Sequence, residues 1–396
     1  MTEPDVLPPG VRLFHIGPQK TGTTALQASA AASRGALREH GVLYPGVAVN
    51  HRLPIAALMG KTIGWKTGEG QSPVPERFYW TRLVSEMQAH PDLRAWFGHE
   101  YGAGASIEVI REVHETFGDD LHVLITLRSL SRLLPSVWQE TNKAAGNRGT
   151  FDRWLEKAFD EGSPVNEIVR TRHDQTALVR RWADIVGEDH VTVIVLDPTD
   201  HAFLHHTVER LLGLPQDLLA EVDAGLRAAN RSLTVPEIEL FRRFNKKLRA
   251  HDVTWAQYDT LAVRGAIARV LGHRRPPAHE ARLTMPDWAA DRADALSIRN
   301  AEGVAASGVR VIGDPHLLAQ PAVRRHSDAE DHQSVTDVPV DLAVHAMLGL
   351  SASALGLTPA FEEPQNAAKW VNPLSRFTAK ELATELYRRG RGKLQR

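Results

Sequence analysis

The feature that most constrains the fold is a set of short apolar runs, rich in β-forming residues, in the first half of the chain. Two of them, 121–127 (LHVLITL) and 191–196 (VTVIVL), are apolar nearly throughout instead of alternating with polar residues. Such runs are typical of strands that are covered on both faces, as in parallel sheets flanked by helices. The runs predicted as strands are 11–16, 42–44, 93–98, 121–127 and 191–196.

Segments with helical periodicity lie between these runs, as at 25–38, 108–117 and 176–186. Alternating strands and helices predict the α/β class, here a three-layer α/β/α architecture with a central, mainly parallel five-stranded sheet. Ligands of such sheets bind at the carboxyl ends of the strands.

After about residue 230 helical patterns prevail, as at 237–248 and 258–271, and the run 309–312 is a candidate for one extra strand. We therefore predict a core over 1–245 and a mostly helical C-terminal extension over 246–396, packed on the core.

The charge balance argues against nucleic acid as a partner. There are 47 Lys and Arg residues and 48 Asp and Glu residues, a formal charge of −1, so a global basic excess is missing. The chain has no cysteine, which removes disulfides, thiolate zinc sites and cysteine nucleophiles. Because the first ten residues also lack the basic and apolar regions of a secretory signal, we predict a cytoplasmic protein.

One segment, 338–357, has the length of a membrane span, but its apolar sequence is interrupted by Pro339, Asp341 and His345. An apolar stripe at helical spacing, formed by Val340, Val344, Met347 and Leu348, instead predicts an amphipathic helix that faces the core. We predict no transmembrane segment.

The first predicted strand runs directly into a loop that suits an anion, GPQKTGTT over 17–24, and a helical pattern follows at once. A helix N-terminus offers unpaired N–H groups and about half a positive charge. Glycine lets the backbone wrap closely around a ligand, and the lysine and the hydroxyls supply a charge and donors. The lysine precedes the glycine by two residues, so this is not a Walker A motif. The predicted anion-binding residues are Gly17, Gln19, Lys20, Thr21, Gly22, Thr23 and Thr24.

A second candidate anion site follows the fourth predicted strand. Arg128 comes directly after the run 121–127, and Ser136 lies eight residues further on, in the early turns of the next helix. A guanidinium group can bind a phosphate through two parallel hydrogen bonds, and a hydroxyl adds a third donor. Taken alone, Arg128 fits a salt bridge at a helix edge as well.

These residues resemble a known family. Residues 15–27 (HIGPQKTGTTALQ) resemble the 5′-phosphosulfate-binding loop of bacterial sulfotransferases that use 3′-phosphoadenosine 5′-phosphosulfate (PAPS). The spacing of Arg128 and Ser136 is similar to the family's 3′-phosphate-binding motif, which a kinase does not need. The resemblance covers about residues 1–245.

A weaker third element, 227–233 (RAANRSL), resembles a segment that is placed similarly in bacterial sulfotransferases. The resemblance implies that Arg227, Asn230 and Ser232 contact the nucleotide. Alternatively, Ser232 or Thr234 is a plain N-cap before Glu237.

The resemblance implies transfer of a sulfonate group from PAPS to a hydroxyl or amine of an acceptor, with adenosine 3′,5′-bisphosphate (PAP) as product. PAPS is the co-substrate, no metal is implied, and the acceptor is a small molecule, a glycan or a lipid-linked compound. In this reading 1–245 binds PAPS, and the C-terminal region contributes to the acceptor side. The other readings are a P-loop-type small-molecule kinase and an inactive nucleotide-binding regulatory protein.

The family places its catalytic base after the third strand, where this chain has His99 and Glu100. Only one of the two can face the acceptor if the strand stays extended, because successive side chains alternate between faces. Glu100 is the first candidate, His99 the second, and His51 a lesser one. Lys20 is implied to stabilise the oxygen that bridges phosphorus and sulfur as it leaves.

Overall fold

The computed structural model of the chain describes residues 6–65, 72–146, 149–219, 231–325 and 335–357. Six strands form one sheet in the order β2-β3-β1-β4-β5-β6, and every neighbouring pair is parallel. The strands are β1 Arg12–Ile16, β2 Val42–Leu43, β3 Arg94–Gly98, β4 Leu121–Leu127, β5 Val191–Val195 and β6 Arg310–Ile312.

Helices connect the strands and form most of the described part of the chain after β5. They are α1 Thr23–Ala32, α2 Arg34–Glu39, α3 Arg52–Leu58, α4 Phe78–Gln88, α5 Ile107–Phe117, α6 Leu130–Lys143, α7 Phe151–Ala158, α8 Pro164–His173, α9 Gln175–Val186, α10 Phe203–Leu212, α11 Val235–Leu248, α12 Trp255–Tyr258, α13 Ala268–His273, α14 Asp287–Ala305 and α15 Val340–Ala354. A π-helical stretch, Asp259–Ile267, joins α12 to α13.

The α/β architecture and the five predicted strands are confirmed, each strand within one residue at either end. The prediction of a five-stranded sheet was wrong, because the short run at 309–312 adds β6 beside β5. The single helix expected over 25–38 is also divided: Ser33 has a non-helical ψ of 14° and separates α1 from α2.

Helices cover both faces of the sheet, since adjacent residues of one strand belong to different cores. Phe14 packs in the core that contains Trp182 of α9, whereas Leu13 packs in the core that contains Leu26 of α1 and Leu211 of α10. Both faces of β1 and β4 are therefore buried, which explains the nearly continuous apolar sequence of β4.

The chain leaves β1 and β4 in opposite directions across the sheet. β2 and β3 lie on one side of β1, and β5 and β6 lie on the far side of β4. In open α/β sheets this reversal opens a crevice at the carboxyl ends of the two strands, and ligands bind in it. The predicted anion loop follows β1, and Arg128 follows β4.

Helices after β5 form a third apolar core together with α6, α7 and α8, with an ion cluster at its edge. The guanidinium group of Arg274 is completely buried and forms ion pairs with Glu237, Glu280 and Asp341. These pairs connect α11, the segment after α13 and α15. The boundary at residue 245 stays a prediction, and residues 358–396 of the predicted extension lie outside the described residues.

The helix expected over 338–357 is present as α15, but the orientation predicted for its apolar stripe was wrong. Val340 is 78% exposed and Met347 65% exposed, whereas Leu342 and Ala346 are buried and supply the core contact. In the described part of the chain, no helix has both the length and the apolar character that crossing a bilayer requires.

Candidate functional site

The loop after β1 is fixed against β4 by contacts that leave little space. The Thr21 hydroxyl is completely buried, donates to the Pro18 carbonyl at 2.7 Å and lies 2.9 Å from Thr126 Oγ1. A Cβ on Gly17 would come within 2.5 Å of the same Thr126 Oγ1, so only glycine fits there. Gly17 and Thr21 therefore shape the loop, and the Thr21 hydroxyl contacts Pro18 and β4.

The loop then turns through two residues with positive φ, Lys20 at 68° and Gly22 at 82°. Positive φ is uncommon for residues other than glycine, and it persists where surrounding contacts fix it. Gly22 is the N-cap of α1, and no side chain caps this helix terminus. Thr23 is buried, and Thr24 is exposed. The first N–H groups of α1 are thus not capped by a side chain, and their binding of an anion stays a prediction.

The Lys20 ammonium group binds a carboxylate that the sequence analysis missed. Its Nζ lies 2.7 Å from Glu140 Oε1 of α6, and Lys143 Nζ lies 2.9 Å from the same oxygen. Burial would raise the pKa of Glu140, but Lys143 and Lys20 outweigh it and hold that pKa below the usual value. One signal was available, because Glu140 is one helical turn after Ser136 and thus shares its face.

Arg128 leaves the end of β4 with a guanidinium group that forms no hydrogen bond or ion pair with the residues that the structure describes. Burial lowers the pKa of Arg128, and the neighbouring Arg132 lowers it further. Its carbonyl accepts from the Gln175 side chain at 2.6 Å, which fixes the backbone here. Ser136 is within about 6 Å, one helical turn, of the carboxylate residue that holds Lys20. α6 thus leads from one candidate anion site to the other.

Glu100 lies at the start of a 3₁₀ turn, Glu100–Gly104, directly after β3. The Gln19 amide of the anion loop donates to Glu100 Oε1 at 3.0 Å. Burial raises the pKa of Glu100, and Glu140 adds to the increase, whereas the Gln19 hydrogen bond opposes it. The structure therefore brings together the predicted loop and the first candidate for the base.

The backbone engages one ring nitrogen of His99 and both ring nitrogens of His51, the two candidate histidines. His99 Nδ1 accepts from the Tyr101 N–H at 3.2 Å and caps the 3₁₀ turn. His51 lies between the Pro45 carbonyl, 2.9 Å from Nε2, and the Gly98 N–H, which donates to Nδ1 at 3.3 Å. Burial lowers the pKa of His99 to about 3 and that of His51 to about 4. Both rings are neutral, and His51 connects the loop after β2 to β3.

The third predicted element is described only in part, because Arg227 and Asn230 lie outside the described residues. Ser232 is exposed, and its hydroxyl forms no hydrogen bond with any described residue. Thr234 is the N-cap of α11 and forms a capping box with Glu237, which is the alternative that the sequence left open. The Leu233 N–H donates to Gln139 Oε1 at 2.9 Å, so this segment contacts α6 beside Glu140.

Three basic side chains that the sequence analysis missed surround Tyr101. Arg52 Nε donates to the Tyr101 hydroxyl at 3.3 Å, and Lys61 Nζ lies 5.8 Å from the centre of its ring. A Cβ built on Gly104 would lie 3.3 Å from Lys61 Nζ and 3.4 Å from Arg172 Nε, so these two cations converge. They come from distant parts of the sequence, and no local pattern connects them.

The described residues contain no group of three or more His, Asp and Glu side chains that could hold a metal ion. The chain matches no protein-family model and no curated protein. It is similar to the solved structure of a sulfotransferase from Alicyclobacillus acidocaldarius, with a TM-score of 0.39 and 16% sequence identity. The alignment covers 62% of this chain and 98% of that one.

Proposed function

We propose that this chain transfers a sulfonate group from PAPS to a hydroxyl or amine of an acceptor and releases PAP. The observation that carries the proposal is the hydrogen bond from Gln19 to Glu100. It joins a loop with an uncapped helix N-terminus and a lysine to a carboxyl group of raised pKa, so a candidate anion site and a candidate proton acceptor are adjacent.

In this proposal the loop 17–24 and the N-terminus of α1 bind the 5′-phosphosulfate. Arg128 and Ser136 bind the 3′-phosphate, and the available Arg128 guanidinium group supports this assignment. The roles of Arg227, Asn230 and Ser232 at the nucleotide stay predictions. Lys20 is paired with Glu140, so the donor must either share the Lys20 ammonium group with that carboxylate or displace the carboxylate when it binds.

For the transfer, the Glu100 carboxylate accepts the proton of the acceptor hydroxyl, and the acceptor oxygen attacks sulfur. The bond between sulfur and the bridging oxygen breaks, and that oxygen stays on PAP as part of its 5′-phosphate. Lys20 neutralises the charge that develops on the leaving oxygen. His99 is a weaker candidate for the base, because its Nδ1 already accepts a hydrogen bond and its ring is enclosed.

Calorimetric titration with PAP, AMP and ATP tests the donor assignment. Arg128→Ala should weaken PAP binding by about 2 kcal/mol, the usual value of a hydrogen bond to a charged group, and leave AMP binding nearly unchanged. Arg153→Ala, which removes an exposed arginine of α7, is the matched control. Equal losses for PAP and AMP would contradict the 3′-phosphate role, and preference for ATP would favour a kinase.

Turnover of PAPS separates an enzyme from a nucleotide-binding regulatory protein. Lys20→Ala and Glu100→Gln should each abolish most PAP release. PAP binding should persist in Glu100→Gln, whereas Lys20→Ala, which removes a proposed ligand of the 5′-phosphate, should also weaken it. If His99→Ala alone has this effect, the assignment of the base is wrong. If the wild-type chain binds PAP but releases none from PAPS with any of a range of phenols, glycolipids and oligosaccharides, the regulatory reading replaces this one.

A further inference from the structure

The Glu100 side chain lies between two different groups of residues. On one side it accepts the hydrogen bond from Gln19, which belongs to the anion loop. On the other side lies the basic cluster, which we define as Arg52, Lys61 and Arg172. Arg52 acts electrostatically on Glu100, and the Glu100 carboxylate acts in turn on Arg172. The cluster therefore borders the position that an acceptor would occupy next to the base.

The two arginines of the basic cluster carry more positive charge than carboxylates in the described part of the chain neutralise. Neither Arg52 nor Arg172 forms an ion pair with an Asp or Glu in the described part of the chain. The nearby carboxylate, Glu100, already accepts from Gln19, and its pKa is raised by burial. Burial also lowers the pKa of Arg172. A half-buried cation without a counter-ion destabilises the protein, and a bound anion would reduce that free-energy cost.

The geometry of Arg52 suits an incoming oxyanion. Its Nε donates to the Tyr101 hydroxyl and its guanidinium carbon lies 5.9 Å from the centre of the Tyr101 ring, so the group is held in place. Its two terminal nitrogens form no hydrogen bond with any described residue. These nitrogens form the edge of the guanidinium group that binds carboxylates, sulfates and phosphates through two parallel hydrogen bonds.

We propose that the acceptor carries an acidic group, a carboxylate or a sulfate or phosphate ester, which Arg52 and Arg172 bind while its hydroxyl faces Glu100. Lys61 adds charge, and the ring of Tyr101 supplies an apolar surface beside Arg52 and Lys61. This inference rests on the proposed function, and it narrows the acceptor from any hydroxyl compound to an anionic one.

Inorganic sulfate is the probe that tests the site, titrated into the PAP-saturated protein at constant ionic strength with chloride as the balancing ion. The wild type should bind sulfate saturably, and Arg172→Ala and Arg52→Ala should each weaken this binding at least tenfold without changing the PAP affinity. Arg170→Ala removes an exposed arginine two residues away on the same helix and should have no effect. Arg172→Lys, which keeps the charge, should restore part of the binding even if the alanine variant is unstable.

A parallel titration with acetate tells a carboxylate site from one that prefers tetrahedral oxyanions. Absence of saturable sulfate and acetate binding would overturn the proposal, as would equal losses in Arg170→Ala. If Lys20→Ala removes sulfate binding and Arg172→Ala leaves it intact, the sulfate binds at the anion loop instead. That result would also overturn the proposal. If PAP does not bind the wild type, the proposed function fails, and sulfate titration of the unliganded variants still decides whether the basic cluster binds anions.

Discussion

Replacing Glu140 with glutamine removes the carboxylate that neutralises Lys20 before any ligand arrives. The change keeps the size of the side chain and takes one negative charge out of the donor site. If Lys20 Nζ binds a donor oxygen at about 2.8 Å while it lies 2.7 Å from Glu140 Oε1, the two negative oxygens are at most about 5.5 Å apart.

At that separation two unit charges repel by about 3 kcal/mol with an effective dielectric constant near 20, and by about 0.8 kcal/mol in bulk water. The Glu140 side chain is 28% exposed, so its environment lies between these limits. We expect Glu140→Gln to bind PAP tighter by about 1 to 2 kcal/mol, or about 5- to 30-fold. The affinity for AMP should increase by a similar factor, because AMP carries the same 5′-phosphate.

Titration calorimetry with PAP and AMP at fixed ionic strength measures this gain. Glu161→Gln, which changes the net charge equally at an exposed position between α7 and α8, is the control and should have no effect. The unliganded Glu140→Gln protein should also have a lower melting temperature, because Lys143 is only 12% exposed and loses its carboxylate partner. Unchanged or weaker PAP binding in Glu140→Gln would refute the placement of the 5′-phosphate at Lys20.

Three further predictions concern the base, a helix cap and the anion loop. Because burial raises the pKa of Glu100 and the base must be ionised, PAPS turnover should rise with pH through a midpoint above the ordinary value of 4.5, and this rise should disappear in Glu100→Gln. Thr234→Ala should cost about 1 to 2 kcal/mol of unfolding free energy in denaturant titrations, more than Thr254→Ala, because Thr234 is buried and the Thr254 cap is exposed. Gly17→Ala should destabilise the fold by about 1 to 3 kcal/mol and abolish PAP binding, because the added Cβ collides with Thr126. An unchanged melting temperature and unchanged PAP affinity would show that the loop is less tightly fixed.

The strands could be predicted because burial on both faces leaves a local signal. The run 121–127 is apolar nearly throughout, and β4 has these bounds. β6 was harder, because it has only three residues, all partly exposed at the sheet edge. The apolar stripe of α15 misled for a related reason: periodicity shows that a helix is amphipathic, but the packing partners decide which side is covered.

The position of the candidate site was predictable where one segment supplies several groups, as in the loop 17–24 after β1, whose anion-binding role stays a prediction. It was not predictable where the partners are distant in sequence. Glu140 lies 120 residues after Lys20, and its role depends on how α6 packs beside the loop. The histidines show the same limit, because the partners of His51 are backbone atoms that no side-chain pattern reveals.

The positive φ of Lys20 has a consequence for attempts to improve this protein. Glycine adopts that backbone conformation without steric cost, so an unbiased selection for resistance to heat would favour glycine at position 20. The same exchange would delete the ammonium group beside the crevice. A screen for robustness alone would therefore select against the residue on which the chemistry is proposed to depend.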